Sequence, residues 1–274
     1  MMFLKTILSL CLIILCLFTN AEAKAGELSE KLANFTQWEK LTSVKPAKGD
    51  LVYPDWIAGT WNVTSTLVDL AAPLAPDIIT PGFESNRSQL NQPVNFVVRF
   101  VKVTPHNSDF NLFFKTNQQS QNQQSPILVA DRVFNSLNLS RAYLGDDAVL
   151  AVKLDPESPN RQITFFRGDR QLVSVVTART TEKNPDGKFG KFGKFISAEV
   201  FQQYFKGGSR AYFNNVESTT AYHLVSTSDP KLYPTIEADQ VTAVYLSPQD
   251  PDYFTAGSRP VALYRYRLEF YPLK

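Results

Sequence analysis

Side chains alternate in character along two stretches that lie far apart in the chain. Val97, Arg99, Val101 and Val103 share one parity, and Val98, Phe100 and Lys102 share the other. Near the C-terminus, Tyr264, Tyr266, Leu268 and Phe270 oppose Arg265, Arg267 and Glu269. Successive side chains point to opposite faces in an extended strand, so both stretches belong to a sheet with two unlike faces. Other runs are rich in branched and aromatic residues and bounded by turn formers, which is the same signature. Strands are expected at 59–69, 94–104, 110–116, 148–154, 162–167, 171–180, 195–205, 210–226, 240–247 and 261–271. Gly168-Asp169, between two of these, is a tight-hairpin pair.

Two segments read as helix. Leu28, Leu32, Phe35, Trp38 and Leu41 recur at spacings of four and three, which places them on one face of a helix over 28–41. A breaker-rich linker follows at 45–50. Residues 131–144 form the internal helix candidate, with Val133, Phe134, Leu137, Leu139 and Leu144 as its apolar stripe and Asp131 as its cap. So many strands with one internal helix predict an all-β, mainly antiparallel fold: a barrel of about 8–10 strands with an N-terminal helix and one internal helix. Residues 51–274 read as a single β-barrel domain after the helix and linker of 24–50.

The first 23 residues have the layout of a secretory signal peptide. Lys5 is the positive end, 7–18 is apolar apart from Ser9, and Ala21-Glu22-Ala23 is the small-x-small cleavage site. The apolar run is shorter than the roughly 18 residues a membrane-crossing helix needs. Cys11 and Cys16 each follow a leucine, where lipoprotein processing wants a small residue. Both cysteines and both methionines lie in this leader, so the exported part holds no sulfur. That excludes disulfides, thiolate metal ligands and thiol nucleophiles. Removal of Lys5 and Glu22 with the leader keeps the net charge at +2, which argues against a nucleic-acid partner.

The stretch from Tyr53 to Val63 carries a resemblance. Gly59-x-Trp61 resembles the opening of lipocalins and their calycin relatives, in which a short helical turn leads into the first strand and the tryptophan plugs the closed end of a barrel. In that family a basic side chain of the last strand lies across the indole, and here Arg265 and Arg267 sit on the expected last strand. The resemblance implies that Trp61, Gly59, Arg265 and Arg267 are barrel-closing or ligand-binding residues, with Gly59 allowing close backbone approach. The Thr-Asp-Tyr run of the second lipocalin motif is absent; Thr220-Ala221-Tyr222 lacks its acid. The whole chain also resembles an uncharacterised family of cyanobacterial and plastid exported proteins. The residues behind this are 61–67, Thr80-Pro81-Gly82-Phe83, 134–145, 160–164 and 238–245. That resemblance implies a photosynthetic-lineage source and a periplasmic or thylakoid-lumen home, and it carries no catalytic residue.

The catalytic inventory is thin. His106 sits in a turn and His223 on a strand. Asp146-Asp147 and Asp250-Pro251-Asp252 lie among turn formers. No Gly-x-Ser-x-Gly elbow or phosphate loop occurs, and no cofactor or metal site is expected. Arg99, Arg132, Arg141, Arg161, Arg167, Arg170, Arg179, Arg265 and Arg267 lie on or next to ordered segments. Inward arginines and tyrosines could anchor an acidic head group, while the plainer alternative is ordinary ion pairing. Lys188, Phe189, Lys191, Phe192 and Lys194 form a Lys-Phe-Gly repeat, expected as an exposed loop that touches a membrane or partner. The leading expectation is an exported barrel holding a lipophilic small molecule. Alternatives are an assembly protein of a photosynthetic membrane complex and, behind it, an isomerase-type enzyme on a lipophilic substrate.

Overall fold

The computed structural model describes residues 26–40, 44–80, 82–104, 125–156, 158–183, 193–208 and 212–273. The expected leader, the candidate strand 110–116, His106, residues 117–124, Leu41, and Lys188, Phe189, Lys191 and Phe192 lie outside them.

The described residues form an eleven-stranded sheet in which every strand pair is antiparallel. Its strands are β1 (Lys45–Pro46), β2 (Gly59–Ala71), β3 (Pro93–Val103), β4 (Ile127–Ala130), β5 (Val149–Asp155), β6 (Ser158–Phe166), β7 (Arg170–Lys183), β8 (Lys194–Lys206), β9 (Tyr212–Leu224), β10 (Ile236–Leu246) and β11 (Ala262–Pro272). Ten run in the order β4-β3-β2-β11-β10-β9-β8-β7-β6-β5, and β1 pairs with β7 at Arg179 and Ala178. Neighbours in sequence are neighbours in space, and β2 pairs with β11. That pairing curls the sheet into a half-barrel whose edges are β4 and β5.

The helices are α1 (Glu27–Ala33), α2 (Phe83–Asn86), α3 (Arg132–Leu144) and α4 (Tyr253–Ala256). Helix α3 connects the two sheet edges and packs on β3 and β5. A helix over an open edge shields backbone groups that would otherwise template aggregation.

Local chemistry explains most of these elements. Gly168 and Asp169 have φ of 71° and 53°, the two positive values that a two-residue hairpin of this hand requires, and they join β6 to β7. Asp131 caps α3 by accepting from Phe134 N–H at 3.1 Å. Helix α1 is shorter than the expected 28–41 because Asn34 ends it, its N–H donating to the Glu30 carbonyl at 3.1 Å. The apolar stripe nevertheless continues through the following turn. Leu28, Leu32, Phe35 and Trp38 are all buried on the convex side of the sheet, against residues that include Ile196, Val241 and Leu263. Burial of each such side chain stabilises by roughly 1.5–3 kcal/mol. The four-residue β4 is absent from the expected strands, since a short apolar run carries no period of its own.

The concave side holds a second cluster. Trp61, Val63, Val98, Phe100, Phe195, Tyr222, Ile236, Leu268 and Phe270 pack there, and Ile57, from the one-turn 3₁₀ helix Asp55–Ile57 before β2, closes one end.

A partitioned lumen as the candidate functional site

Helix α3 divides the concave side into two cavities. Two rows of side chains at i, i+4 spacing lie on neighbouring faces of the helix. Asn135, Leu139 and Tyr143 line a cavity of about 400 Å³. Arg132, Ser136 and Ser140 line another of about 370 Å³. Ala130, Asn135, Leu139 and Thr242 border both, so the two meet beneath the helix. No residue of α3 is fully buried. The apolar stripe expected for it therefore does not enter a core: the helix is a septum with a cavity on either side.

Specific contacts fix this septum. Asn135 uses its whole carboxamide on β3, accepting from Arg99 N–H at 2.7 Å and donating to the Arg99 carbonyl at 3.1 Å. The Arg99 guanidinium lies 4.3 Å from the Phe134 ring centroid and bonds Asp131 through Nε at 3.1 Å. At the other end, the hydroxyls of Tyr143 and Ser65 are 3.1 Å apart. Ser136 Oγ donates to Gln162 Oε1 at 3.0 Å and ties the helix to β6.

The first cavity is aromatic. Tyr53, Phe96, Phe100, Tyr222, Tyr266 and Phe270 contribute to its wall. Burial pushes the Tyr222 phenol up to about 12 and that of Tyr53 well above its ordinary value, so both stay neutral around pH 7. The second cavity has a wall of aliphatic side chains and Phe201 set with neutral hydroxyls and carboxamides, including Thr164, Ser174, Gln203 and Ser218.

Among the described lining residues of both cavities, Arg132 is the charged one. Its Nε meets Asp50 Oδ1 at 3.0 Å and its Nη2 meets Glu199 Oε1 at 3.1 Å. Burial disfavours its charge, but Glu199 and Asp50 outweigh this and hold its pKa above the ordinary value. Glu199 also accepts from Arg179 Nη2 at 2.9 Å, and the same nitrogen donates to Asn160 Oδ1 at 2.7 Å. Two arginines thus face two carboxylates. Arg132 and Arg179, two of the arginines considered as anchors for an acidic head group, are already met by carboxylates.

Residues 45–274 match the family model described as a domain of unknown function, DUF6816. The chain belongs to that family. No curated protein and no solved structure matches this DUF6816 chain.

The residues marked by the lipocalin resemblance fall elsewhere than the lumen wall. Trp61 is buried near the closed end, donates from Nε1 to the Ile57 carbonyl at 2.9 Å and meets Phe270 edge to face at 6.4 Å. The arginine expected across its indole is not there. Pro272 is the β11 residue paired with Trp61, while Arg267 pairs with Thr66 and Arg265 with Asp69, farther along and on the opposite face from Phe270. Arg265 bonds Asp239 through Nε at 2.9 Å and lies 5.8 Å from the Phe35 ring on the convex side. Arg267 is mostly exposed, 3.9 Å from Glu269. Gly59 serves a backbone need, not close approach: its φ is +116° and a Cβ there would meet open space. Lys194 opens β8, with Nζ donating to Ser29 Oγ at 3.3 Å, and Phe195 beside it is in the core.

Other candidates are structural. Asp250 accepts from Asp252 N–H at 3.0 Å within a turn. Asp147 pairs with Arg167 at 3.2 Å on the surface. His223 faces the convex side near Lys194 and Asp239. A buried carboxylate does meet a tyrosine, Glu217 with Tyr245 at 3.2 Å, but beneath α1 and in neither cavity wall. Among the described residues no group of three or more His, Cys, Asp or Glu could hold a metal ion, and no helix is long and apolar enough to cross a membrane. Of the α3 lumen residues, Leu139 belongs to the expected apolar stripe, while Arg132, Ser136 and Ser140 are signalled in the sequence only by their i, i+4 spacing.

Proposed function

We propose that this chain is an exported binding protein that holds a lipophilic small molecule in the half-barrel lumen. The observation that carries this is the pair of cavities meeting beneath α3, each within the roughly 300–1,000 Å³ range of small-molecule sites. The aromatic walls of the first give an apolar molecule contact area without any charge to desolvate. The signal-like leader and the resemblance to cyanobacterial and plastid proteins favour a periplasmic or thylakoid-lumen setting. The exposed Leu232, Tyr233 and Phe254 give less support to a docking role. Leu232 and Tyr233 lie between β9 and β10, whereas Phe254 lies between β10 and β11. Consecutive connections of an antiparallel sheet fall at opposite ends, so these residues do not make one face.

The test is titration of the purified protein with a fluorescent probe carrying a hydrocarbon tail, beside a Leu139→Trp variant. Leu139 borders both cavities and is 40% exposed, so an indole there fills lumen space and leaves the core alone. Saturable one-to-one binding that the variant loses, at unchanged stability, is expected. Absent binding, or binding equal in the variant, overturns the proposal.

A further inference from the structure

Resting on that lumen-binding proposal, we infer that the occupant is an uncharged amphiphile whose head carries several hydroxyl groups, of the glycoside or polyol class, with its tail in the aromatic cavity and its head in the second. Three observations carry this. First, among the described residues the lumen wall is electrically balanced. The charge on Arg132 is met by Asp50 and Glu199, and Glu199 is met in turn by Arg179. A carboxylate, phosphate or ammonium head would lose its hydration and find no free countercharge, a loss of several kcal/mol for an ion.

Second, the second cavity carries hydrogen-bonding groups that a plain hydrocarbon would leave unused. Ser136, Ser140, Gln162, Thr164, Gln203 and Ser218 all contribute to its wall. Ser136 and Gln162 bond each other and Ser218 accepts from Gln240, but an occupant without hydrogen-bonding atoms would strip the remaining donors and acceptors of water and return nothing. Hydroxyls and carboxamides both donate and accept, so they match a head that does the same at several points, whereas a head with acceptors alone would leave the carboxamide oxygens of the wall unopposed. The aliphatic groups between them, Leu172 and Val176 among them, suit the C–H faces of a sugar or polyol.

Third, the cavities are lined by different side-chain types and are joined. Thr242 on β10 and Leu139 on α3 border both, so one molecule can pass beneath the septum with its two unlike ends on either side.

The test is calorimetric titration of the full chain with four ligands that share an octyl tail, each below its micelle-forming concentration: octyl glucoside, octanoate, octyltrimethylammonium and octanol. Octyl glucoside is expected to bind about tenfold or more tighter than either charged ligand. Thr164→Val with Gln203→Met is expected to weaken the glucoside about tenfold and leave octanol unchanged; Ser218→Ala is read the same way should that pair fail to fold. Octanoate or the ammonium binding as tightly as the glucoside overturns the head-group class and leaves lumen binding standing. Glucoside binding that ignores the variants overturns the placement of the head. Binding of none of the four overturns both this inference and the proposal beneath it.

Discussion

The side-chain amide of Asn135 pairs with the backbone of Arg99 as a neighbouring strand would, accepting its N–H at 2.7 Å and donating to its carbonyl at 3.1 Å. A helix is thereby joined to a sheet at the point where β4 ends and α3 begins. Asn135→Ala removes both bonds and is expected to destabilise by about 1–3 kcal/mol, two bonds at their usual net value. Asn135→Asp keeps the acceptor and should fall between. Urea midpoints at constant slope measure the cost, and faster amide exchange at Arg99 places it. A cost near zero would mean that the remaining ties, among them the Asp131 cap, Ser136–Gln162 and Tyr143–Ser65, hold the helix without Asn135.

Beneath α1, Lys31 Nζ lies 2.6 Å from Glu217 Oε1, and the carboxylate is fully buried. Burial lowers the Lys31 pKa against the pull of Glu217. Lys31→Met removes the ammonium from a buried carboxylate and is expected to destabilise by about 3–5 kcal/mol. Lys31→Met with Glu217→Leu should recover most of that loss, because two charges then need no desolvation. A double-mutant cycle by chemical denaturation measures the coupling; additive single effects would show the pair to be uncoupled.

Trp61 packs against Phe270 and not against an arginine. Trp61→Ala is expected to destabilise by about 3–5 kcal/mol, as large-to-small changes in a core do. Arg265→Ala should instead act on the convex side, where it frees Asp239 and uncovers Phe35. In a variant retaining Trp61 as its one tryptophan, Arg265→Ala should leave the emission unchanged. A shifted emission would reinstate the arginine–indole contact.

His223 carries a pH prediction with a definite sign. Partial burial lowers its pKa below the ordinary 6.5, and Lys194 adds to this. The unfolded chain therefore binds the proton more readily than the folded one. The stability this contributes is fully present above about pH 6.5 and is lost as pH falls through the folded value. Since the group is half exposed, the effect is screened by solvent. His223→Gln should flatten stability against pH between about 5 and 7. An unchanged pH slope in the variant would assign the dependence to other groups.

Much of the architecture was legible residue by residue. Parity along β3 and β11 identified the two faces, and it already separated Arg265 and Arg267 from Phe270. Asp131 announced the start of α3 and Gly168-Asp169 the turn between β6 and β7, because a cap and a two-residue hairpin involve only a few adjacent residues. The buried stripe of Leu28, Leu32, Phe35 and Trp38 was visible as well, though not the sheet face it covers.

Other features needed the closed chain. The expected arginine–Trp61 contact failed because register between β2 and β11, strands nearly 200 residues apart, sets Pro272 beside Trp61. The meeting of Asp50, Arg132, Glu199 and Arg179 unites a linker, a helix start and two strands. The two cavities likewise exist only because α3 spans sheet edges that never pair with each other. By itself, the sequence determined the longer strands, helix α3, their faces and the β6–β7 turn, since short-range sterics and hydrogen bonding act between near neighbours, whereas the short elements β1, β4, α2 and α4 carry too little period to be read. Tertiary structure alone decided the lumen, its partition and its neutral charge balance, because these depend on distances between segments that local pattern does not encode.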